Sequence, residues 1–295
     1  MALGRSRICA TCSTPPDGRP MAAGESMDEE TRQAREREFH RDYARQHAAK
    51  IEEPVNDDVV RAPTRRPWNA YWCAYDALRE LGLAGKRVLV PGCGFGEDAI
   101  RLCWLGAEVD AFDLSEELLE IARARAARAG LTNVRFAAMP AEALTYPDGH
   151  FDVIFFNDIL HHVDIPHALA EAGRVLKPGG VLVVNELYTH SWLQKLRESR
   201  LVAGVAHPRL TRFIYGTDKP YITEDERKVN EAELDRIAAQ APGGMRTAFF
   251  LLFGGRLFPA WWPRLGALDH ALLSRLGPLQ RFLAGRFVLV GRVGV

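Results

Sequence analysis

The sequence predicts an α/β fold in which a parallel β-sheet carries helices on both of its faces. Between residues 86 and 190, short apolar runs typical of buried strands alternate with amphipathic stretches typical of helices. Alternation of this kind builds a parallel sheet through right-handed crossover connections. A glycine-rich turn at residues 92–96 joins the first strand to the first helix. Because ligands of such sheets bind at the carboxyl ends of the strands, this turn marks the candidate site.

The strands and helices of this core follow one another along the chain. Strands are predicted at residues 86–91, 107–112, 133–139, 151–156 and 181–187. Helices are predicted at residues 97–105, 116–129 and 168–176. Ser115 is an N-cap residue type, and Glu116 and Glu117 after it suit the positive end of the helix dipole. The Lys-Pro-Gly-Gly stretch at residues 177–180 predicts a turn before the fifth strand.

The region before this core predicts a loose tail followed by a helical lid. Residues 1–27 lack the apolar segment of a signal peptide and are expected to be a disordered tail. Residues 28–85 are expected to form the lid, which begins with a charged helix anchored by Phe39 and Tyr43. An aromatic row follows at helical spacing, and it either faces the core or closes over a ligand. This row consists of Trp68, Tyr71, Trp72, Tyr75 and Leu78.

The region after the core predicts a second cover for the site and the completion of the sheet. Residues 191–245 are interpreted as an insertion over the substrate, which ends in a candidate helix at residues 230–240. Residues 246–295 predict two strands separated by an amphipathic helix. Polar side chains of the insertion that could contact a substrate are Tyr215, Tyr221 and Thr223. Gly277 and Pro278 are expected to kink this helix. The leucines expected to line one side of the helix are Leu268, Leu272, Leu276, Leu279 and Leu283.

Charge and cysteine content limit the classes of partner. The 38 basic and 38 acidic residues balance, so the chain lacks the excess positive charge of a nucleic-acid-binding protein. Residues 246–295 differ, because seven arginines face the single Asp269 and give a net charge of +6. This basic apolar segment either contacts a membrane surface or contributes core strands whose arginines extend to water. Five cysteines, an odd number, favour a reducing compartment and predict a cytoplasmic protein.

The glycine turn indicates which class of ligand the site binds. Gly92, Gly94 and Gly96 have GxGxG spacing, whereas a dinucleotide-binding turn is GxGxxG with a small third residue. Glu97 and Asp98 follow here, and their carboxylates would repel a pyrophosphate but accept an ammonium or sulfonium group. The spacing therefore disfavours an NAD(P)-type oxidoreductase, which stays an alternative together with a non-catalytic ligand-binding module.

Residues 86–190 form the candidate cofactor-binding core, and most of this segment resembles the class I S-adenosylmethionine-dependent methyltransferases. The motifs occur in the family's order, as GCGFG, VDAFDLSEELLEIARARA, PAEALTYPDGHFDVIFFNDILHHV and LKPGGVLVVNE. The resemblance implies a Rossmann-like, seven-stranded, mostly parallel sheet whose last strand is antiparallel. It also implies S-adenosyl-L-methionine as the cofactor and methyl transfer to oxygen or nitrogen of a small-molecule acceptor. A lipid or prenylated acceptor reached at a membrane surface is the alternative within this family.

The resemblance assigns roles to residues around the methionyl part of the cofactor. Asn157, at the end of the fourth strand, would lie near this part. Relatives usually place an acidic residue where Val90 stands here, so the resemblance passes the ammonium-binding role to Asp98 downstream. In this respect the string VPGCGxGxD is similar to the thiopurine and thiol/halide methyltransferase branch. The glycines that would approach the methionyl part are Gly92, Gly94 and Gly96.

The resemblance also assigns the residues that would hold the adenosine part. Asp113, at the end of the second strand, would accept hydrogen bonds from the ribose hydroxyls, and Leu114 would lie against the adenine. Ala141 and Glu142 would flank the adenine. Many relatives place an aspartate at the adenine amine where this chain has Pro140, so backbone groups would make that contact.

Two adjacent histidines follow the fourth strand, at the edge where the methyl group would be presented. His161 or His162 could take a proton from the acceptor, and relatives with a single histidine in this turn favour His162. Alternatively, both histidines pack against the turn or cap it. With Asp164 and His167 they could also bind a metal ion, although nothing distant in the sequence completes that site. Glu186 and His190, at the end of the fifth strand and just past it, are further candidate bases at this edge.

Overall fold

The computed structural model describes residues 29–197, 228–254, 257–259 and 262–294. The strands in these ranges are β1 (Arg87–Pro91), β2 (Glu108–Asp113), β3 (Val134–Ala138), β4 (Phe151–Asn157), β5 (Leu176–Leu187), β6 (Met245–Phe250) and β7 (Arg286–Arg292). Within the described ranges they form one seven-stranded sheet in the order β3-β2-β1-β4-β5-β7-β6.

Strand direction reverses at β7, near one side of the sheet. β1 pairs in parallel with β2 and with β4, so that Val88 lies opposite both Val109 and Val153. β7 is antiparallel to both of its neighbours, and Val288 lies opposite Asn185 of β5 and Ala248 of β6. The predicted Rossmann-like, mostly parallel sheet is therefore confirmed. The strand order changes direction on either side of β1, which opens a crevice at the carboxyl end of that strand.

Helices cover the sheet, and several begin at a side chain that caps them. The helices are α1 (Glu29–Gln46), α2 (Asp58–Arg61), α3 (Ala70–Glu80), α4 (Glu97–Trp104), α5 (Glu116–Arg128), α6 (Ile165–Val175), α7 (Ser191–Arg197), α8 (Glu231–Ala239), α9 (Pro263–Ser274) and α10 (Gln280–Leu283). Ser115 caps α5 as predicted, by accepting a hydrogen bond from the Leu118 amide. Asp164 caps α6 in the same way, so this helix begins earlier than the predicted residue 168.

Alternate strand residues pack against helices on the two faces of the sheet. On one face, Leu89 and Ile154 belong to an apolar cluster that includes residues of α6 and α8. On the other face, Val88 and Val153 belong to a cluster that includes residues of α3 and α4. The two-residue period of a strand places neighbours in sequence on opposite faces. The predicted arrangement of helices on both faces is thus confirmed.

The aromatic row that precedes the core lies in and just before α3 and faces the sheet. Trp72, Tyr75 and Leu78 are buried, and α3 packs against β5 and β7. Of the two interpretations of this row, the core-facing one is correct. The aromatic side chains contribute to the core on this face of the sheet rather than to a lid.

The expectation that a turn at residues 177–180 precedes the fifth strand is wrong. Residues 177–180 do not form a separate turn, because β5 already begins at Leu176 and continues through them. The pairing with β4 shifts register between Phe151 and Val153, so the Lys-Pro-Gly-Gly stretch is accommodated as an irregularity of the strand. Gly179 adopts a left-handed φ of 73°, which suits glycine at this bend.

The leucines near the carboxyl end of the chain do not form one buried stripe. Leu268 and Leu279 are 55% and 56% exposed, and Leu272 is 38% exposed. The residues that α9 buries are instead Gly266, Asp269 and Leu273. Gly277 interrupts the expected stripe, because the chain changes from α9 to a 3₁₀ turn and then to α10. An exposed apolar face therefore remains on α9 and α10.

Some expectations concern parts of the chain outside the described residues. These are the tail at residues 1–27, most of the insertion, and its candidate contacts Tyr215, Tyr221 and Thr223. In the described part of the chain, no helix is both long and apolar enough to cross a membrane.

Candidate active site

A cavity of about 270 Å³ lies at the carboxyl ends of β1, β2 and β4. Its wall is built by the glycine turn, the end of β2, the segments that follow β3 and β4, and α1. The cavity therefore occupies the position predicted for the site. The sequence-predicted residues that line it are Gly92, Gly94, Asp113, Leu114, Ala141, Glu142 and His162.

The three glycines of the turn have left-handed backbones but different surroundings. Their φ angles are 61° at Gly92, 49° at Gly94 and 77° at Gly96. A Cβ added at Gly92 would lie 2.8 Å from Cγ1 of Ile159, and one at Gly96 would lie 2.8 Å from Cβ of Ala122. A Cβ added at Gly94 would meet no atom within 4 Å. Gly92 and Gly96 are thus required by packing, whereas Gly94 borders open space where a ligand can approach the backbone.

Asp113 lies buried at the end of β2 and holds the glycine turn in place. Its Oδ2 accepts a hydrogen bond from the Gly94 amide at 2.9 Å, and its Oδ1 accepts one from the Ser115 amide at 3.1 Å. Each carboxylate oxygen can accept a second hydrogen bond, so both can still receive donors from the cavity. This arrangement fits a ribose diol, as the resemblance implied.

Asp98 does not line the cavity, and its carboxylate is engaged elsewhere. Tyr71 and Tyr75 donate hydrogen bonds to its Oδ1, the latter at 2.7 Å, and Asn157 Nδ2 donates to its Oδ2 at 2.9 Å. Burial, together with the Asp98 charge, raises the pKa of both tyrosines well above the ordinary value. The predicted contact of Asp98 with an ammonium group therefore does not follow from the geometry. Asn157 and Gly96 likewise do not line the cavity.

Asp158 is an acidic residue of the wall that sequence reasoning missed. It follows β4 directly and has a φ of 54°, which is uncommon for a residue other than glycine. Its Oδ1 lies 2.8 Å from Nη1 of Arg286 on β7. The unusual backbone conformation at the end of a strand was the kind of signal that only the structure could give.

The two histidines after β4 have different environments. His161 is only 6% exposed, and its Nδ1 lies 2.6 Å from Oε1 of the buried Glu186. Burial by itself would raise the pKa of Glu186. The hydrogen bond and charge of His161 act in the opposite direction, and the pKa of this carboxyl is below its ordinary value. His161 does not line the cavity, whereas His162 does. Of the two histidines predicted as bases, only His162 is therefore exposed to the cavity.

Helix α1 places two further ionisable side chains in the cavity wall, Glu36 and His40. Glu36 is 5% exposed, its Oε2 lies 3.2 Å from Nε2 of His40, and its Oε1 lies 3.4 Å from Nδ1 of His162. Burial raises the pKa of Glu36, but the two histidines lower it more, to about 2. Burial lowers the pKa of His40, yet the Glu36 hydrogen bond and the charges of Asp113 and Glu36 raise it overall.

The residues considered for a metal site are held by other partners. Nδ1 of His167 lies 2.9 Å from Oδ1 of Asp164, which also caps α6. His161 faces Glu186 and His162 faces Glu36, so the four predicted ligands do not converge. A different group in the described part of the chain, Asp158 with His161 and Glu186, has ligand atoms within 4.8 Å of one another. Its members already pair with Arg286 and with each other.

Comparison with known proteins identifies relatives of this chain. Residues 89–184 match the family model described as "Methyltransferase domain". The chain is 36% identical over 195 residues to a ubiquinone biosynthesis O-methyltransferase of Psychrobacter cryohalolentis, which covers 65% of this chain and 67% of that protein. It is 34% identical over 172 residues to a demethylmenaquinone methyltransferase of Tropheryma whipplei, and the match covers 58% of this chain and 70% of that protein. It is 41% identical over 106 residues to a 27-O-demethylrifamycin SV methyltransferase of Amycolatopsis mediterranei, which covers 35% and 39%.

A solved structure with a similar fold is geranyl diphosphate C-methyltransferase from Streptomyces coelicolor. Its TM-score is 0.53 at 17% sequence identity, and the match covers 88% of this chain and 98% of that one. At this identity the similarity concerns the fold alone. α1, with Glu36 and His40, lies outside the segment that the family model matches.

Proposed function

Because the chain belongs to the class I S-adenosylmethionine-dependent methyltransferases, we propose that it methylates a hydroxyl oxygen of a small-molecule acceptor. The relatives include proteins named as O-methyltransferases, which supports oxygen as the atom methylated. The observation that carries the proposal is His162 in the cavity wall, since a hydroxyl acceptor must lose its proton and an imidazole can take it.

The cavity wall fits S-adenosyl-L-methionine. Gly94 leaves space for a close approach to the backbone, and Asp113 offers two acceptor oxygens at the end of β2. Ala141 and Glu142 follow β3 and would flank the adenine, while Leu114 follows Asp113. When bound, the cofactor supplies a sulfonium methyl group that is already activated for nucleophilic displacement. The protein therefore has to hold the reacting atoms in line and exclude water, and such orientation contributes about 7–11 kcal/mol to catalysis.

In this proposal His162 acts on the acceptor. It lies in the segment after β4, beside Ile159 and Val163, which are also part of the cavity wall. Other ionisable side chains of the wall include Glu36, His40 and Asp158. We assign the proton to His162 because it follows β4, at the edge where the methyl group would be presented. His161 is excluded from this role by its burial against Glu186.

The test is a set of methyl-transfer assays with three aromatic acceptors that differ in the attacking atom. The purified protein is incubated with S-adenosyl-L-methionine and one of the acceptors catechol, aniline and thiophenol. The methylated acceptor and S-adenosylhomocysteine are then measured by mass spectrometry. We expect transfer to catechol, and we expect His162→Ala to lower kcat by about 10² to 10⁴ while cofactor affinity stays within about threefold. His167→Ala is the matched control, since His167 is an exposed histidine outside the wall. Transfer to aniline alone, or an unchanged kcat in His162→Ala, would contradict the proposal.

A second candidate function is methylation of an acceptor that the protein takes from a membrane surface. The exposed residues of α9 and of the 3₁₀ turn after it include Leu268, Leu272 and Leu279. Arg264 on α9 and Arg275 at its end are also exposed. Exposed apolar side chains flanked by basic ones are typical of surfaces that bind anionic bilayers. We propose that this face rests on an anionic membrane from which a lipid or prenylated acceptor is taken.

Vesicle sedimentation tests this second candidate. Each arginine near an anionic surface contributes about 1 kcal/mol, so binding should rise with phosphatidylglycerol content and fall with salt. Leu268→Ser with Leu279→Ser should weaken binding at least tenfold. Met245→Ser is the matched control, because Met245 is 49% exposed on β6 and belongs to a different surface. No sedimentation at low salt would leave an acceptor taken from solution.

A further inference from the structure

We propose that Glu36 of α1 is the positioning residue that orients His162 as the base for methyl transfer. This inference rests on the proposed function, because it concerns how His162 accepts the acceptor proton. It adds a residue from a helix that the matched methyltransferase domain does not contain.

Helix α1 is packed firmly enough to place a side chain in the site. Ala44 belongs to a small apolar cluster with Leu118 and Ile121 of α5. The rings of Tyr43 and Phe95 lie 5.4 Å apart, which joins α1 to the glycine turn. These contacts lie about two helical turns after Glu36 on the same helix. The packing of α1 against α5 and the glycine turn therefore positions Glu36 in the cavity wall.

The Glu36 carboxylate is in turn held by two rings. Nε2 of His40 lies 3.2 Å from one oxygen, and Nδ1 of His162 lies 3.4 Å from the other. The lowered pKa of Glu36 means that this carboxyl is ionised at neutral pH. The negative charge of this carboxylate, 3.4 Å from Nδ1, favours the tautomer of His162 that carries its proton on Nδ1. In this tautomer Nε2 of His162 carries a lone pair, which a base needs in order to accept a proton.

The second pair at this edge shows the contrast. His161 and Glu186 form a similar arrangement at 2.6 Å, but both are buried and neither lines the cavity. The rings of His161 and His162 lie 4.1 Å apart. The pair of His161 and Glu186 therefore holds the turn after β4, where the Leu160 amide also donates to Glu186. The pair of His162 and Glu36 lines the cavity.

The proton and the electrons can be followed through the step. The acceptor oxygen forms its new bond to the methyl carbon, and the electron pair of the broken carbon–sulfur bond stays on sulfur. The hydroxyl proton passes to Nε2 of His162. The positive charge that forms on the ring is then balanced by the Glu36 carboxylate beside Nδ1, as in other carboxylate–histidine pairs.

Kinetics with catechol as the acceptor give the first test. Glu36→Gln keeps the shape but removes the charge, and we expect kcat to fall about tenfold or more while KM for S-adenosyl-L-methionine changes less than twofold. Glu36→Asp keeps the charge and should recover part of the lost kcat. In Glu36→Gln/His162→Ala the two losses should not add, because Glu36 acts through His162. Glu38→Gln is the matched control, since Glu38 is an exposed glutamate on the same helix.

Nitrogen-15 NMR of histidine-labelled protein gives a second test that requires no acceptor. The His162 signals, assigned by their loss in His162→Ala, should show the proton on Nδ1 in the parent and a shift toward the Nε2 tautomer in Glu36→Leu. An unchanged tautomer, or a kcat in Glu36→Gln equal to that of the parent, would overturn the role of Glu36. If His162→Ala keeps the parent kcat, the proposed base fails instead, so the two failures are distinguishable.

Discussion

Replacement of Gly94 by alanine separates the ligand-binding role of the glycine turn from its structural role. The added methyl group would meet no protein atom within 4 Å, so packing does not oppose it. The backbone does oppose it, because φ at Gly94 is 49° and a left-handed conformation costs an L-residue about 1–2 kcal/mol. In a chain of this size such a loss lowers the melting temperature by only about 2–5 °C.

The same methyl group would extend into the cavity that we propose the cofactor fills. Gly94 lines the cavity, and its amide is held toward Asp113 at 2.9 Å, so the turn cannot move aside without breaking that hydrogen bond. We therefore expect the affinity for S-adenosyl-L-methionine and for S-adenosylhomocysteine to fall at least tenfold, which corresponds to about 1.4 kcal/mol. Isothermal titration calorimetry measures this affinity, and differential scanning calorimetry measures the stability of the same sample.

Gly96→Ala is the matched control, and its expected effect is the opposite. Its methyl group would lie 2.8 Å from Cβ and 3.2 Å from Cα of Ala122, outside the cavity. Overpacking costs about 1–3 kcal/mol, and the left-handed backbone at 77° adds to it. This variant should lose more stability than Gly94→Ala but retain more of its cofactor affinity. If Gly94→Ala binds the cofactor as tightly as the parent does, the cavity beside this turn is not the cofactor site.

Three further substitutions test the polar interactions. Asp98→Asn should destabilise the fold by about 2 kcal/mol in urea unfolding, because an amide leaves one buried donor of Tyr71, Tyr75 or Asn157 unpaired, while cofactor affinity stays within threefold. Glu36→Gln should lower the free energy of unfolding by about 2 kcal/mol at pH 6 relative to the parent. The difference from the parent should disappear as pH falls from 4.5 toward 2, since the folded pKa is lowered to about 2. Asp269→Ala should cost about 2–4 kcal/mol in a thermal melt, because the buried carboxylate accepts the amides that follow β6 at 2.9 and 2.7 Å.

The sheet and much of the cavity wall could be predicted from the sequence. Strand and helix positions follow from short-range periodicity, and Asp113 is fixed by its place at the end of β2. Gly92 and Gly94 are fixed by the turn between β1 and α4, which is also local in sequence. Positions of this kind depend on neighbouring residues, so motif spacing was sufficient to place these residues in the cavity wall.

Asp98 shows why the rest could not be predicted. A carboxylate at the start of α4 can face the cavity or the sheet, and the choice depends on Tyr71 and Tyr75 of α3, which precede it by more than twenty residues. Glu36 and His40 were missed for a related reason. α1 is so strongly charged that its sequence shows no clear buried face, and the partners of Glu36 only come together in the folded chain.

The exposed leucines of α9 and α10 show a different limit. Regular spacing predicted only that Leu268, Leu272 and Leu279 share one side of a helix, and these side chains are exposed. The buried face of α9 is instead organised around Asp269, whose carboxylate binds the backbone after β6. A single buried hydrogen-bonding side chain thus decided how the helix is rotated, and apolar periodicity alone does not contain that information.

β7 is synthesised after β6 but lies between β6 and β5 in the sheet. Phe250 ends β6, and the chain passes through α9 and α10 before Arg286 begins β7. A nascent chain that has emerged as far as β6 can therefore assemble the five parallel strands but leaves the backbone edge of β5 unpaired. Such an edge, with buried residues such as Val183 and Val184, is a template for pairing with other chains. We therefore expect ribosome-bound intermediates of this protein to require a chaperone until β7 emerges, even though the catalytic edge of the sheet is complete much earlier.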